Sequence, residues 1–91
     1  MQEPILDYFI TPHAAFEIAY RQLSESTIRQ VLAAPDQREA VRPGRDVLQS
    51  LIQFQGVTYL VRIFVDVDRH PPEVVTAYRT SKIDKYWRSE S

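Results

Sequence analysis

The chain has 91 residues, of which 44% are hydrophobic and 25% are charged, and its formal net charge is −1. This length allows one folded domain, and the composition excludes a disordered or low-complexity chain. The nearly balanced charge also excludes a generic, strongly basic binder of polyanions.

The sequence has no feature of an exported or membrane protein. It contains no cysteine, which excludes disulfides and thiolate chemistry. No uncharged apolar run approaches the ~20 residues that a membrane span needs. The opening residues Met1-Gln2-Glu3-Pro4 lack the basic start of a signal peptide. We therefore expect a single cytoplasmic domain over residues 1–91.

Charge is unevenly distributed along the chain. Residues 1–37 carry two basic and five acidic side chains, residues 38–68 carry four of each, and residues 69–91 carry five basic and three acidic ones. The C-terminal third can therefore form a local basic face, although a solvated surface of mixed sign explains the same counts.

The first third predicts two short helices. Thr11-Pro12 is typical of a helix start, and the apolar spacing that follows continues to about residue 22, with Phe16 and Tyr20 along one edge. Ser24 caps a second helix, which Pro35 ends.

The rest of the chain predicts strands. Alternation and turn residues indicate strands over 38–42 (a weak candidate), 47–54, 57–68 and 73–79, followed by a short helix or ordered tail. Helices followed by strands predict an α+β domain, with two N-terminal helices packed on one face of an antiparallel sheet of three to four strands.

Several kinds of site are excluded by residue type and spacing. Gly44 and Gly56 lie in no phosphate-binding loop. His13 and His70 have no partner at metal-ligand spacing, so neither a metal nor a cofactor is predicted.

A dense group of hydroxyls, cations and aromatic rings over residues 76–87 remains. RNA cleavage without a metal requires such groups: a base for the ribose 2′-OH, an acid for the departing oxygen, and cations for the phosphate charge. Aromatic rings can stack unpaired bases.

Each candidate residue also has an ordinary structural interpretation. The helix dipole disfavours a charged His13, which suits a general base, but spacing alone favours an exposed or capping residue. Arg62 either binds an anion or forms an ion pair with Asp66 or Glu73. Tyr78 is also explained as an aromatic residue at the edge of the core.

Two motifs together resemble a known family. The first runs from His13-Ala14 through Arg21 and Leu23-Ser24 to Pro35-Asp36. The second joins the Tyr59-Leu60-Val61-Arg62 strand to residues 74–86, which read VVTAYRTSKIDKY. Over residues 11–87 the chain resembles the prokaryotic family called domain of unknown function 4258, which is similar to the RelE/ParE and BrnT toxins of type II toxin–antitoxin modules.

This resemblance implies two helices on a curved antiparallel sheet, with the core of the domain in residues 11–87. It implies a toxin-like, metal-independent endoribonuclease that an antitoxin from a neighbouring gene inhibits. The implied catalytic residues are His13, Arg62, Tyr78 and Lys82, and the implied RNA-binding residues are Arg79, Lys85 and Tyr86. The alternative is a non-catalytic protein-binding module, either a toxin that acts by contact alone or a regulatory domain.

Overall fold

The structure is a computed structural model that describes residues 3–89. Met1, Gln2, Glu90 and Ser91 lie outside the described residues, and so do the parts of the domain and signal-peptide predictions that fall on them.

Two capped helices follow the N-terminal segment, as the sequence predicts. Helix α1 spans Pro12–Tyr20, and the backbone N–H of Ala14 donates to the Thr11 hydroxyl at 3.1 Å. Helix α2 spans Glu25–Ala33, and the N–H of Thr27 donates to the Ser24 hydroxyl at 3.1 Å. Each cap satisfies one of the backbone donors that a helix start leaves free.

The aromatic edge of α1 faces solvent rather than the core. Ala14 and Ile18 are the buried residues of this helix, whereas Phe16 and Tyr20 are 68% and 78% exposed. The two rings stack on each other with centroids 6.0 Å apart, so they form an apolar patch on the surface.

Residues 3–89 form one sheet of five strands. They are β1 (Phe9–Ile10), β2 (Gln37–Arg42), β3 (Arg45–Phe54), β4 (Val57–Asp66) and β5 (Glu73–Thr80), and a last short helix, α3, spans Ile83–Tyr86. Their order in the sheet is β1-β5-β4-β3-β2. Strands β2 to β5 form an antiparallel meander, while β1 pairs in parallel with β5.

The predicted fold class was therefore wrong. Residues 3–89 form a mixed sheet of five strands with three short helices, whereas the prediction was an antiparallel sheet of three to four strands with two N-terminal helices and a short C-terminal helix or tail. Strand β1 was missed because its two residues are too few to show alternation. Its partners on β5, Glu73 and Val74, lie more than sixty residues further along the chain, so no local sequence pattern indicates the pairing.

The two faces of the sheet have different coverings. Helices α1 and α2 pack on one face, where Leu48, Val61, Ile63 and Ala77 join their buried side chains in the hydrophobic core. The opposite face carries Gln49, Arg62 and Tyr78, which are direct partners across β3, β4 and β5. We call it the α3 face, because α3 lies over it.

The helices of residues 3–89 are too short, and too poor in apolar residues, to cross a bilayer.

Candidate functional site

Arg62 lies at the centre of the α3 face, in the middle of β4. Its Nε donates to Oε1 of Gln49 on β3 at 2.8 Å, and its Nη1 donates to the hydroxyl of Tyr78 on β5 at 2.7 Å. The guanidinium thus donates one hydrogen bond to each neighbouring strand, and these bonds limit the rotamers that this long side chain can adopt.

Three aromatic rings surround this guanidinium. Its carbon lies 4.3 Å from the ring centroid of Tyr86, 5.2 Å from that of Phe64 and 5.9 Å from that of Tyr78. Tyr78 stacks on Phe64 and meets Tyr86 edge to face. We call Arg62, Phe64, Tyr78 and Tyr86 the arginine–aromatic cluster. It combines a fixed cation with half-buried aromatic rings, and cations and aromatic rings are the two kinds of group that bind single-stranded nucleic acid.

No carboxylate within residues 3–89 forms an ion pair with Arg62. Asp66, one of its two predicted partners, instead accepts from Nε of Arg45 at 2.6 Å and from its Nη2 at 3.2 Å. The ion-pair interpretation of Arg62 was therefore wrong. The remaining interpretation leaves its charge available for an anion.

Gln49 supports the arginine–aromatic cluster through hydrogen bonds, and it was not among the residues predicted from the sequence. This side chain is only 1% exposed, and its Nε2 donates to Oε1 of Gln37 at 2.7 Å and to the carbonyl of Tyr86 at 3.2 Å. It therefore links Arg62 to the backbone of α3. Only the strand register could have revealed it, because register places Gln49 directly opposite Arg62.

The segment after α3 is attached to β2. Nε2 of Gln37 donates to the carbonyl of Arg88 at 2.6 Å, and Oε1 of Gln37 accepts from the N–H of Arg88 at 3.1 Å. The Arg88 guanidinium also pairs with Glu39 at 3.0 Å. These contacts hold the chain beyond Tyr86 against the sheet.

Lys85 and Tyr86 form a cation–phenol pair beside Arg62. The ammonium of Lys85 lies 5.3 Å from the ring centroid of Tyr86. Hydrogen bonding to Lys85 is the main cause that lowers the pKa of Tyr86 below its ordinary value of 10.0, with further contributions from Tyr78 and the charge of Arg62. Partial burial opposes this shift without cancelling it. Lys82 precedes α3 and is exposed, and its side chain forms no hydrogen bond or ion pair with another residue in 3–89.

His13 is not in contact with the cluster. Its side chain is 72% exposed, and its Nε2 lies 3.3 Å from Oε2 of Glu17 on the next turn of α1. Glu17 in turn accepts a short hydrogen bond from the Thr76 hydroxyl on β5. Thr76 and Tyr78 are two residues apart on one strand, so His13 approaches the border of the α3 face through Glu17.

Arg79 lies on the opposite face of the sheet from Arg62. It pairs across the ladder with Val61, a core residue, and its guanidinium carbon is 4.6 Å from the ring centroid of Phe54. The structure therefore separates Arg79, an implied RNA-binding residue, from Arg62, an implied catalytic residue. Adjacent strand residues point to opposite faces, so Tyr78 and Arg79 could not share one site.

The described residues contain no cluster of three His, Asp or Glu side chains able to hold a metal ion. No family model, curated protein or solved structure matches this chain.

Proposed function

We propose that the protein is a toxin-like endoribonuclease that binds single-stranded RNA on the α3 face and cleaves it without a metal ion. The observation that carries the proposal is the guanidinium of Arg62. It is held by two strands, surrounded by three aromatic rings and left without a carboxylate partner in the described chain. Such a group suits a phosphate whose flanking bases stack on Tyr78 and Tyr86.

The neighbouring side chains supply an acid and a base. The lowered pKa of Tyr86 favours its phenolate relative to an ordinary tyrosine, and in this proposal Tyr86 takes the proton of the ribose 2′-OH. The 2′ oxygen then attacks phosphorus and the bond to the 5′ oxygen breaks. Lys85 protonates the departing oxygen, and Arg62 stabilises the charge on the phosphate. The products are a 2′,3′-cyclic phosphate and a 5′ hydroxyl.

The enzyme is restored by one proton transfer. After cleavage the Tyr86 hydroxyl is neutral and the Lys85 amine is uncharged. A proton passing from the first to the second regenerates both catalytic forms. The proximity of Lys85 and Tyr86 makes this transfer direct.

Purified protein incubated with a single-stranded RNA oligonucleotide tests the proposal. We expect cleavage to give 2′,3′-cyclic phosphate ends, and Tyr86→Phe and Arg62→Lys to lower the rate at least 100-fold. Tyr20→Phe and Arg29→Lys are the matched controls, since both residues are exposed on the helices. Intact RNA with folded protein would reject the proposal, and a requirement for His13 but not for Tyr86 would transfer the base role to His13.

We also propose that an antitoxin from a neighbouring gene covers the helices. A groove of about 330 Å³ beside α1 is lined by Ile10, Ala15, Ile18, Ala19, Leu23 and Glu25. The exposed pair Phe16 and Tyr20 lies on the same helix. An amphipathic peptide could bury both. Induced expression with and without the adjacent gene tests this, and growth arrest that the neighbour does not relieve would contradict it.

A non-catalytic protein-binding module is the second candidate. The groove beside α1 and the exposed rings of Phe16 and Tyr20 favour it, because apolar surface of this kind suits a protein partner and takes no part in the proposed RNA cleavage. Growth arrest with intact total RNA, lost in Phe16→Ser and retained in Tyr86→Phe, would select this function over the first.

A further inference from the structure

A second pocket lies beside the β3–β4 hairpin. It encloses about 480 Å³, within the roughly 300–1,000 Å³ of typical ligand sites. Its lining includes Gln22, Gln53, Phe54, Gln55, Tyr59 and Arg79. None of these residues belongs to the arginine–aromatic cluster, so the pocket is separate from the proposed cleavage site.

Arg79 gives this pocket an available cation. Its guanidinium carbon is 4.6 Å from the ring centroid of Phe54 and 4.9 Å from that of Tyr59. No hydrogen bond or ion pair from its side chain reaches another residue in the 3–89 range. Its planar fork of N–H donors is thus oriented by two rings and free to bind an anion in a bidentate way.

Two of the pocket glutamines occupy unfavourable backbone positions. Gln22 has φ 58° and Gln55 has φ 53°, and they are the only non-glycine residues with positive φ in the described chain. Gln22 follows the end of α1, and Gln55 precedes Gly56 in the tight β3–β4 turn, two places where Gly or Asn is normally preferred. Such strain concentrates at functional sites. Here both strained residues place a carboxamide at the same pocket.

We propose that this pocket binds a nucleotide unit, with its phosphate on Arg79 and its base on the carboxamides of Gln22, Gln53 and Gln55. A carboxamide matches the paired donor and acceptor edges of a nucleobase, and the rings of Phe54 and Tyr59 offer an apolar wall. The same chemistry is presented by a free mononucleotide and by one residue of an RNA chain. The inference goes beyond the proposed cleavage and does not require it.

Titration of isotope-labelled protein by NMR tests the proposal with AMP, GMP, CMP, UMP, inorganic phosphate and a short RNA. Saturable shifts of the side-chain amides of Gln22 and Gln55 and of Arg79 Nε with a mononucleotide support it and identify a free nucleotide as the ligand. The same shifts with the RNA alone support it and identify a chain residue. Equal binding of inorganic phosphate, or no localised shifts, overturns it.

Variants separate binding from folding. Arg79→Gln is expected to weaken mononucleotide binding at least tenfold. Gln22→Gly and Gln55→Asn relieve the positive-φ strain, so we expect each to raise the thermal midpoint while weakening binding. Gln30→Ala, on the exposed side of α2, is the matched control. A more stable Gln22→Gly protein with unchanged affinity would overturn the assignment of that side chain.

The test also distinguishes this site from the proposed nuclease. Arg62→Lys is expected to abolish RNA cleavage and to leave mononucleotide binding in the pocket unchanged. Pocket binding in a protein that never cleaves RNA would reject the nuclease alone. Cleavage without pocket binding would reject this inference alone.

Discussion

The Nε of Arg62 donates a 2.8 Å hydrogen bond to Oε1 of Gln49, a side chain that is only 1% exposed. The buried amide connects three separate parts of the α3 face, because its Nε2 also donates to Gln37 and to the backbone of Tyr86. The orientation of Arg62, the proposed phosphate-binding residue, therefore depends on a buried side chain.

Gln49→Leu is expected to destabilise the domain by about 1–3 kcal/mol. The substitution leaves the hydrogen-bonding atoms of Gln37, Arg62 and the Tyr86 carbonyl without their buried partner. Gln53→Leu, two residues further along the same strand and exposed, is the control and should change the free energy of unfolding by less than about 0.5 kcal/mol. Urea denaturation measures both. Equal effects would mean that the Gln49 hydrogen bonds add nothing.

Lys85→Gln is expected to return the pKa of Tyr86 towards its ordinary value of 10.0, because the ammonium is the main cause of the shift. Lys82→Gln removes the same charge three residues earlier and should leave this pKa nearly unchanged. Absorbance titration of tyrosinate, with Tyr86→Phe subtracted, isolates the signal. If Tyr86 is the base, the cleavage rate rises with pH up to its pKa, and a pH-independent rate would contradict that role.

The sequence predicted local features well and long-range ones poorly. The caps at Thr11 and Ser24 were identified because capping depends on a few adjacent residues. Strand β1 was missed because its pairing with Glu73 and Val74 is parallel and distant. Gln49 was missed because a polar residue within a strand acquires meaning only when register sets it against Arg62. Arg79 was misplaced even though the alternation of strand residues was sufficient to separate it from Tyr78.

Ile18→Ala is expected to cost about 2–5 kcal/mol of stability, because the side chain is buried in the core. Phe16→Ala, on the exposed edge of the same helix, removes a larger side chain and should cost far less. Thermal or urea denaturation compares the two variants. A larger loss for Phe16 would mean that its stack on Tyr20 stabilises the monomer.

Glu17 is expected to make stability depend on acid pH. The Thr76 hydroxyl first, and then the charges of Arg21 and His13, hold the pKa of this carboxyl below its ordinary value of 4.5 in the folded protein. The contribution is therefore complete above about pH 4.5 and is lost as the pH falls through the lower, folded-state pKa. Glu17→Gln should flatten the acid limb of a plot of unfolding free energy against pH, relative to the unchanged protein. An unaltered limb would assign it to other carboxyls such as Asp66, whose pKa Arg45 lowers in the same way.

The parallel strand β1 joins the beginning of the described chain to a late part of the sheet. The N–H groups of Ile5, Phe9 and Thr11 donate to Leu32, Pro72 and Val74, so this segment crosses from α2 to β5. The β3–β4–β5 meander, by contrast, is built from pairings between successive strands. Closing the longer loop costs more conformational entropy. We therefore expect the N-terminal segment to dock last during folding and to detach first during unfolding. In native-state hydrogen exchange, we then expect the amides of the N-terminal segment to exchange through a partial opening, whereas the amides of β4 exchange only through global unfolding.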